Sequence, residues 1–208
     1  YESKVGGKAL DLTTLEVHFK RGSYTRDTGK WVLNCRRIAS NCLRYNTDPR
    51  FTELRNDAKF YLKALEKELL TKVRPVLVSV GCPASAIDTV VPKLLRKWDK
   101  VLEALESSIL SAYDDTVVKA QTAYYFLHPF AAYFPSADQQ DFVEDYAKHV
   151  STPICVGDVV SRLIEGTYGS LEPLKKDVDQ VFSNAISYYG ENGAGRQLHA
   201  PADCDDYV

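Results

Sequence analysis

The stretch TGKWVLNCRRIASNCLRYN, residues 28–46, decides how the rest of the chain is read. Trp31, Val32, Cys35, Ile38, Ala39, Cys42 and Leu43 recur at helical spacing, which predicts one long helix with a single core-facing stripe. Thr47-Asp48-Pro49 stops it, because a proline disfavours helical backbone at the residue before it. Tyr45 and Asn46 therefore fall at the mouth of a helical bundle, where a loop begins.

Upstream, Leu10 to Lys20 predicts a shorter helix with Leu12, Leu15 and Phe19 on one face, and Gly22 is placed to cap its end. Downstream, Phe51 to Val73 carries the stripe Leu54, Ala58, Tyr61, Leu62, Leu65 and Leu69, with Lys63, Glu66, Lys67 and Glu68 as its solvated face. Residues 75–91, with Pro75, Gly81, Cys82 and Pro83, read as a linker. Pro92 suits the first turn of a new helix whose stripe is Leu95, Trp98, Val101, Leu102, Leu105 and Ile109. Asp114-Asp115 marks a break or kink before Val117 to Phe126. Pro129 and Pro135 bracket an aromatic loop over 127–142. Val156, Val159, Val160, Leu163 and Ile164 predict a helix ended by Gly166; Leu171 through Ala185 predicts another, ended by Gly190. The pattern weakens beyond Gly193. Alternation of strand type is missing, so the expected fold is all-α, built of antiparallel helix bundles.

With 208 residues and 45% hydrophobic content the chain can bury a real core, and its length suits one large or two small domains. A net charge of −2 carries no global basic field, which argues against direct sequence-specific nucleic-acid binding. Mean hydropathy is −0.27 and the apolar runs are too short to span a bilayer, so no membrane partner is expected. The five cysteines, Cys35, Cys42, Cys82, Cys155 and Cys204, lack metal-site spacing and read as reduced thiols of an intracellular protein. His18, His149 and His199 show neither triad nor ligand spacing, so no metal, cofactor or catalytic residue is expected.

The chain also repeats itself. Residues 10–46 run helix, Gly-x-Tyr turn, longer helix, late asparagine, and residues 154–189 run the same way. Leu12, Leu15 and Phe19 correspond to Val156, Val159 and Leu163; Gly22-Ser23-Tyr24 to Gly166-Thr167-Tyr168; Ser40-Asn41-Cys42 to Ser183-Asn184-Ala185.

Each copy resembles part of a bromodomain, the helical module that binds acetyl-lysine. In the first copy Asn41, Tyr45 and Asn46 match the family's Asn-x-x-x-Tyr-Asn element, with Asn46 at the anchoring asparagine. In the second, Phe126-Leu127-His128-Pro129-Phe130 is similar to the Trp-Pro-Phe shelf, Phe134 stands for a pocket valine, and Asp145-Tyr146 for the loop tyrosine that holds a structural water. The departures are that Tyr1 aligns with the loop tyrosine of a first copy lacking its first helix and shelf, and that Tyr189 replaces the second copy's asparagine. The degenerate second copy is similar to those of atypical tandem bromodomain proteins, such as the kinetoplastid bromodomain factors.

The resemblance implies two left-handed antiparallel bundles: a module over 1–74, incomplete at its N-terminus, a linker over 75–91, and a degenerate module over 92–208. The segment from Pro92 to Leu110 has two readings, as a cover for the first copy or as the extended first helix of the second. The acetyl-lysine-binding residues implied are Asn46, Tyr45, Asn41, Tyr1 and Leu54 in the first module, and Tyr146, Pro129, Phe130, Phe134, Tyr189 and Asn184 in the second. Asn184 also reads as a structural brace, and Asn46 as a plain helix-ending asparagine. The implied function is a nuclear, non-enzymatic reader of acetylated histone tails or other acetylated nuclear proteins, working with other chromatin-complex subunits. An acetyl amide needs apolar walls and a placed donor, whereas an unmodified lysine would bury an unpaired charge. The alternative is a structural scaffold with dead pockets that docks a protein partner.

Overall fold

The structure, a computed structural model, describes residue 5 and residues 9–46, 49–111 and 126–190. Among them no residue is in a strand. The helices are α1 (Leu12–Lys20), α2 (Thr28–Tyr45), α3 (Thr52–Glu68), α4 (Arg74–Ser79), α5 (Ala84–Val90), α6 (Trp98–Ser111), α7 (Gln140–His149), α8 (Val156–Glu165) and α9 (Leu171–Tyr189). The expected segments Asp114-Asp115, Val117 to Tyr125, Gly193 onward, Tyr1 and Cys204 lie outside the described residues, as do the side chains of Glu106 and 108–111. The chain divides into two compact units, Tyr1–Ser108 with Val160–Pro173, and Ile109–Val159 with Leu174–Val208.

In the first unit, Asp11 and Asp27 open α1 and α2 by accepting from the backbone N–H groups of Thr14 (2.6 Å) and Lys30 (2.8 Å), which would otherwise be orphaned. Gly22 closes α1 at φ +73°: its N–H bonds Phe19 O, and that of Ser23 bonds His18 O. Gly166 closes α8 in the same way at φ +81°, through Gly166 N–H to Leu163 O and Thr167 N–H to Arg162 O. Tyr24 and Tyr168, two residues on, are both buried. The two Gly-x-Tyr turns thus share their backbone geometry.

The main core of this unit joins Ala39 and Leu43 of α2 and Ala58 and Leu62 of α3 with Leu95, Trp98, Leu102 and Ile164. Burying a leucine such as Leu62, which is fully enclosed, stabilises by about 1.5–3 kcal/mol. A second cluster packs Val32 with Leu69, Val90 and Val91, and a third packs Leu15 with Tyr24 and Cys35.

Several sequence expectations are corrected here. Residues 75–91, read as a linker, carry most of α4 and all of α5, and bury Ile87, Val90 and Val91. The stripe beginning at Pro92 does not serve only the second module, since Leu95, Trp98 and Leu102 cover the α2–α3 pair. That packing fits the reading of this segment as a cover for the first copy, and the same cluster also takes in Ile164. Leu12 and Phe19 are 57% and 61% exposed, because α1 reaches the core through Leu15 alone, and Phe19 only flanks the Trp31 ring at 6.2 Å. Glu66 is not on a solvated face but buried against Arg36. Between α3 and α4 the helix widens into a π turn, Leu69–Val73, where Arg74 N–H bonds Leu69 O. Pro75, next in the chain, has no N–H to donate and would crowd the carbonyl a turn earlier, so the local register shifts.

In the second unit, two short 3₁₀ turns, Phe130–Tyr133 and Ala137–Gln139, lead into α7. The expected aromatic loop therefore ends in a helix, and Tyr146 sits on α7 rather than in a loop. Val150, Ile154 and Cys155 bury the connection to α8. Asp158 reaches back to the Cys155 N–H at 3.1 Å, half of a capping box at the start of α8.

Candidate functional site

The family-like residues form two groups, one in each unit. In the first, α2 ends at Asn46, whose backbone N–H bonds Cys42 O at 3.1 Å. Its side-chain Nδ2 donates to the same carbonyl at 2.9 Å and approaches Cys42 Sγ at 3.5 Å. Arg55 of α3 donates from Nη1 to Leu43 O (2.8 Å) and Asn46 O (3.2 Å), placing a cation on carbonyls at the negative end of the α2 dipole. Sequence reasoning missed Arg55; the available signal was a basic residue one short turn after a helix stop. Asn41 is buried one turn earlier, whereas Tyr45 and Leu54 are 38% and 46% exposed. The expected core position of Leu54 is thus corrected, because the α3 stripe becomes buried only from Ala58 onward. Burial raises the Cys42 thiol above its ordinary range, and the Asn46 amide pulls partly the other way. Tyr1 lies outside the described residues.

In the second unit the aromatic residues converge. Pro129 precedes the Phe130–Tyr133 turn and presents Phe130 at its start. The Phe130 ring lies flat on Tyr146, centroids 4.1 Å apart and planes 6° from parallel. Tyr188 of α9 meets both rings edge-on, at 5.5 Å and 5.1 Å, and Tyr189 follows at 4.8 Å from Tyr188. Phe134 extends the cluster from Phe130 and passes it on to Phe142. Offset and edge-on ring pairs contribute about 0.5–1.5 kcal/mol each beyond burial.

Polar bonds hold this cluster in place. Tyr188 donates its hydroxyl to Asp145 Oδ2 at 3.1 Å, which pins α9 to α7. Asn184 donates Nδ2 to Thr152 O at 2.9 Å and accepts from Gln180 Nε2 at 2.7 Å, bracing the connection before α8. The His128 N–H donates to the Tyr133 hydroxyl at 2.8 Å inside the shelf turn. Burial pushes the Tyr146 phenol up to about 12, with Tyr189 and Cys155 nearby adding to it, and burial also raises Tyr189. Both phenols are therefore protonated donors at neutral pH.

The structure thus brings Phe130, Phe134, Tyr146 and Tyr189 together, with Pro129 at the entry, and turns Asn184 toward the Thr152 carbonyl. Tyr188 was not singled out from the sequence. Its signal was present, since Asn184 to Tyr188 repeats the spacing of Asn41 to Tyr45. Among the described residues no group of three or more His, Cys, Asp or Glu is placed to hold a metal ion. None of the described helices is long and apolar enough to cross a membrane.

Residues 108–199, which include the aromatic cluster, α7, α8 and α9, match the bromodomain family model. Neither a curated protein nor a solved structure matches the chain.

Proposed function

We propose that the chain is an acetyl-lysine reader of bromodomain type, a non-enzymatic adaptor that recognises an acetylated histone tail or another acetylated nuclear protein within a chromatin complex. The observation behind this reading is the match of residues 108–199 to the bromodomain family model, with the family-like Asn41, Tyr45 and Asn46 gathered at the end of α2 in the first unit. Apolar ring faces suit the methylene stem of an acetylated lysine, and a protonated phenol or carboxamide suits its carbonyl. An unmodified lysine is rejected because its charge would be desolvated without a partner.

The donor differs between the two modules of the proposed tandem. In the first, Asn46 has one N–H on Cys42 O, and the long contact to Cys42 Sγ is the one an acetyl carbonyl would displace. In the second, Tyr189 stands in the asparagine's place. Rings packed as closely as Phe130 and Tyr146 leave the acetyl group little room there, so the second module acts mainly as a structural or protein-binding partner.

The scaffold reading rests on a specific observation of its own: Asn46 serves its own helix end, which needs no ligand. Isotope-labelled protein titrated with acetylated and unmodified histone peptides separates the two. The reader shows saturable shifts with acetylated peptides alone, lost in Asn46→Ala. Shifts at Tyr146 and Tyr189 that survive Asn46→Ala, with affinity tighter than about 100 μM (roughly −5.5 kcal/mol), move the reading site to the second module. No acetyl-dependent shift anywhere leaves the scaffold.

A further inference from the structure

The net charge of −2 hides an uneven distribution. The first unit, Tyr1–Ser108 with Val160–Pro173, carries 21 Lys and Arg against 15 Asp and Glu. The second unit carries 5 against 13, so the first is net positive by 6 and the second net negative by 8. Within the first unit, cations concentrate where the chain enters α6. Lys93, Arg96, Lys97 and Lys100 are all exposed, on the 3₁₀ turn Leu94–Lys97 and the residues on either side of it. Leu95, Trp98 and Leu102, between and beyond them, are buried in the main core. The four cations thus share the outward side of about two helical turns. Lys93 Nζ lies 4.0 Å from Asp88 Oδ2, and among the described residues no ion pair holds Arg96, Lys97 or Lys100. Asp99 pairs instead with Lys63 of α3 at 3.7 Å, and the exposed Glu103 ends the stripe.

We propose that this stripe binds the phosphate backbone of nucleic acid without reading its sequence. The surface offers charge and no apolar anchor: among the described residues from 81 to 107, no large apolar side chain is exposed. A protein partner needs an apolar or aromatic centre to its contact, whereas a polyanion needs only cations, because released counterions drive the association. The stripe is about 12 Å long, a length over which duplex DNA presents about seven phosphate charges, enough to engage all four cations. The net negative second unit repels phosphate and so directs it to the first. The contact goes beyond acetyl-lysine reading and does not depend on it.

Fluorescence anisotropy of labelled duplex DNA, titrated with the full chain between about 50 and about 200 mM salt, tests this. Two duplexes of unrelated sequence should bind alike, with log affinity falling against log salt at a slope near about −3.6 for four phosphate contacts. R96Q/K97Q/K100Q should flatten the slope toward about −0.9 and weaken binding at low salt by at least about tenfold. Its thermal midpoint should hold, since the three side chains are exposed. If that variant melts early, K97Q/K100Q alone should still flatten the slope by about two. R21Q/R26Q/K30Q removes the same charge from exposed positions at and after the α1–α2 turn, and should leave the slope near its natural value. No binding at about 50 mM salt overturns the proposal. So does an equal loss in both triple variants, which would mean that net charge and not the stripe holds the DNA. Displacement of the DNA by poly-glutamate at equal charge concentration also overturns it, because an acidic polypeptide, the second unit of another copy included, would then fill the stripe as well.

Discussion

Arg36 and Glu66 form a two-bond ion pair inside the first unit, Nε to Oε1 at 2.8 Å and Nη2 to Oε2 at 3.2 Å, with both side chains almost wholly enclosed. Nη2 also donates to Val90 O at 2.8 Å, at the last residue of α5. One guanidinium therefore ties α2, α3 and α5 together. Removing either partner leaves a buried charge uncompensated, which costs about 3–5 kcal/mol. Arg36→Met and Glu66→Leu should each lower stability by that order in urea denaturation. The double variant should recover much of the loss, because no stranded charge remains. A double variant as unstable as the sum of the singles would contradict this account.

Gly22 and Gly166 provide an internal control. Both hold positive φ, so an alanine at either strains the backbone, by about 1 kcal/mol at a helix end. A methyl on Gly22 would meet only Thr25 Cγ2, at 3.5 Å. On Gly166 it would lie 2.9 Å from Pro92 Cγ and 3.3 Å from Leu95 Cδ1. Gly166→Ala should therefore cost clearly more than Gly22→Ala, by about 1–3 kcal/mol of overpacking. Thermal melts of the two variants check the order.

Asn46→Asp keeps the size and shape of the side chain but removes the Nδ2 donor and places a negative charge at the C-terminal end of α2. Loss of the bond to Cys42 O and the unfavourable dipole together should cost about 1–2 kcal/mol. Asn46→Ala should cost less, since it introduces no charge. Measured beside peptide binding, this pair separates the cap from the proposed anchor. A binding loss much larger than the stability loss belongs to the ligand.

The Tyr146 phenol is raised in the folded protein above its unfolded value near 10. The fold thus favours the protonated ring, and the stability this contributes is fully present below about pH 10. It is lost as pH rises toward about 12. Burial raises Tyr61 and Tyr189 in the same direction. Denaturation midpoints should fall across that alkaline window, and Tyr146→Phe should make the fall shallower. A Tyr146→Phe chain that loses stability as steeply as the natural one would show that this ring does not titrate within the window.

The Cys35 thiol is buried beneath α1 and, chiefly for that reason, pushed up to about 11. It is both inaccessible and protonated at neutral pH, so it should resist alkylation at pH 8 until the protein unfolds. Mass spectrometry of iodoacetamide-treated native and urea-unfolded protein reads this directly. Rapid native labelling of Cys35 would mean that the α1–α2 packing opens far more readily than its burial implies.

What the residues alone determined is local. Apolar spacing marked α2, α3, α8 and α9, because a helix needs one sided stripe and each of these stretches carries one. Glycines after α1 and α8 marked their ends, because few other residues take a positive φ, and the order helix, Gly-x-Tyr turn, helix, asparagine exposed the repeat. What only the tertiary structure decided is which stripe meets which. The stripe of 92–105 left open whether it covers the first copy; that Trp98 and Leu102 meet Ala39 and Leu62 is seen only in the packing. Nothing in Glu66 separates it from its solvated neighbours Lys67 and Glu68 until Arg36 is found opposite. Asn46, read as an anchor from its motif, has its first partner in Cys42 one turn behind it. The stacking of Phe130 on Tyr146 and the reach of Tyr188 to Asp145 join residues from different elements. Side-chain periodicity records which face of a helix is apolar, but the identity of its partner is set by long-range packing, and no local pattern encodes that.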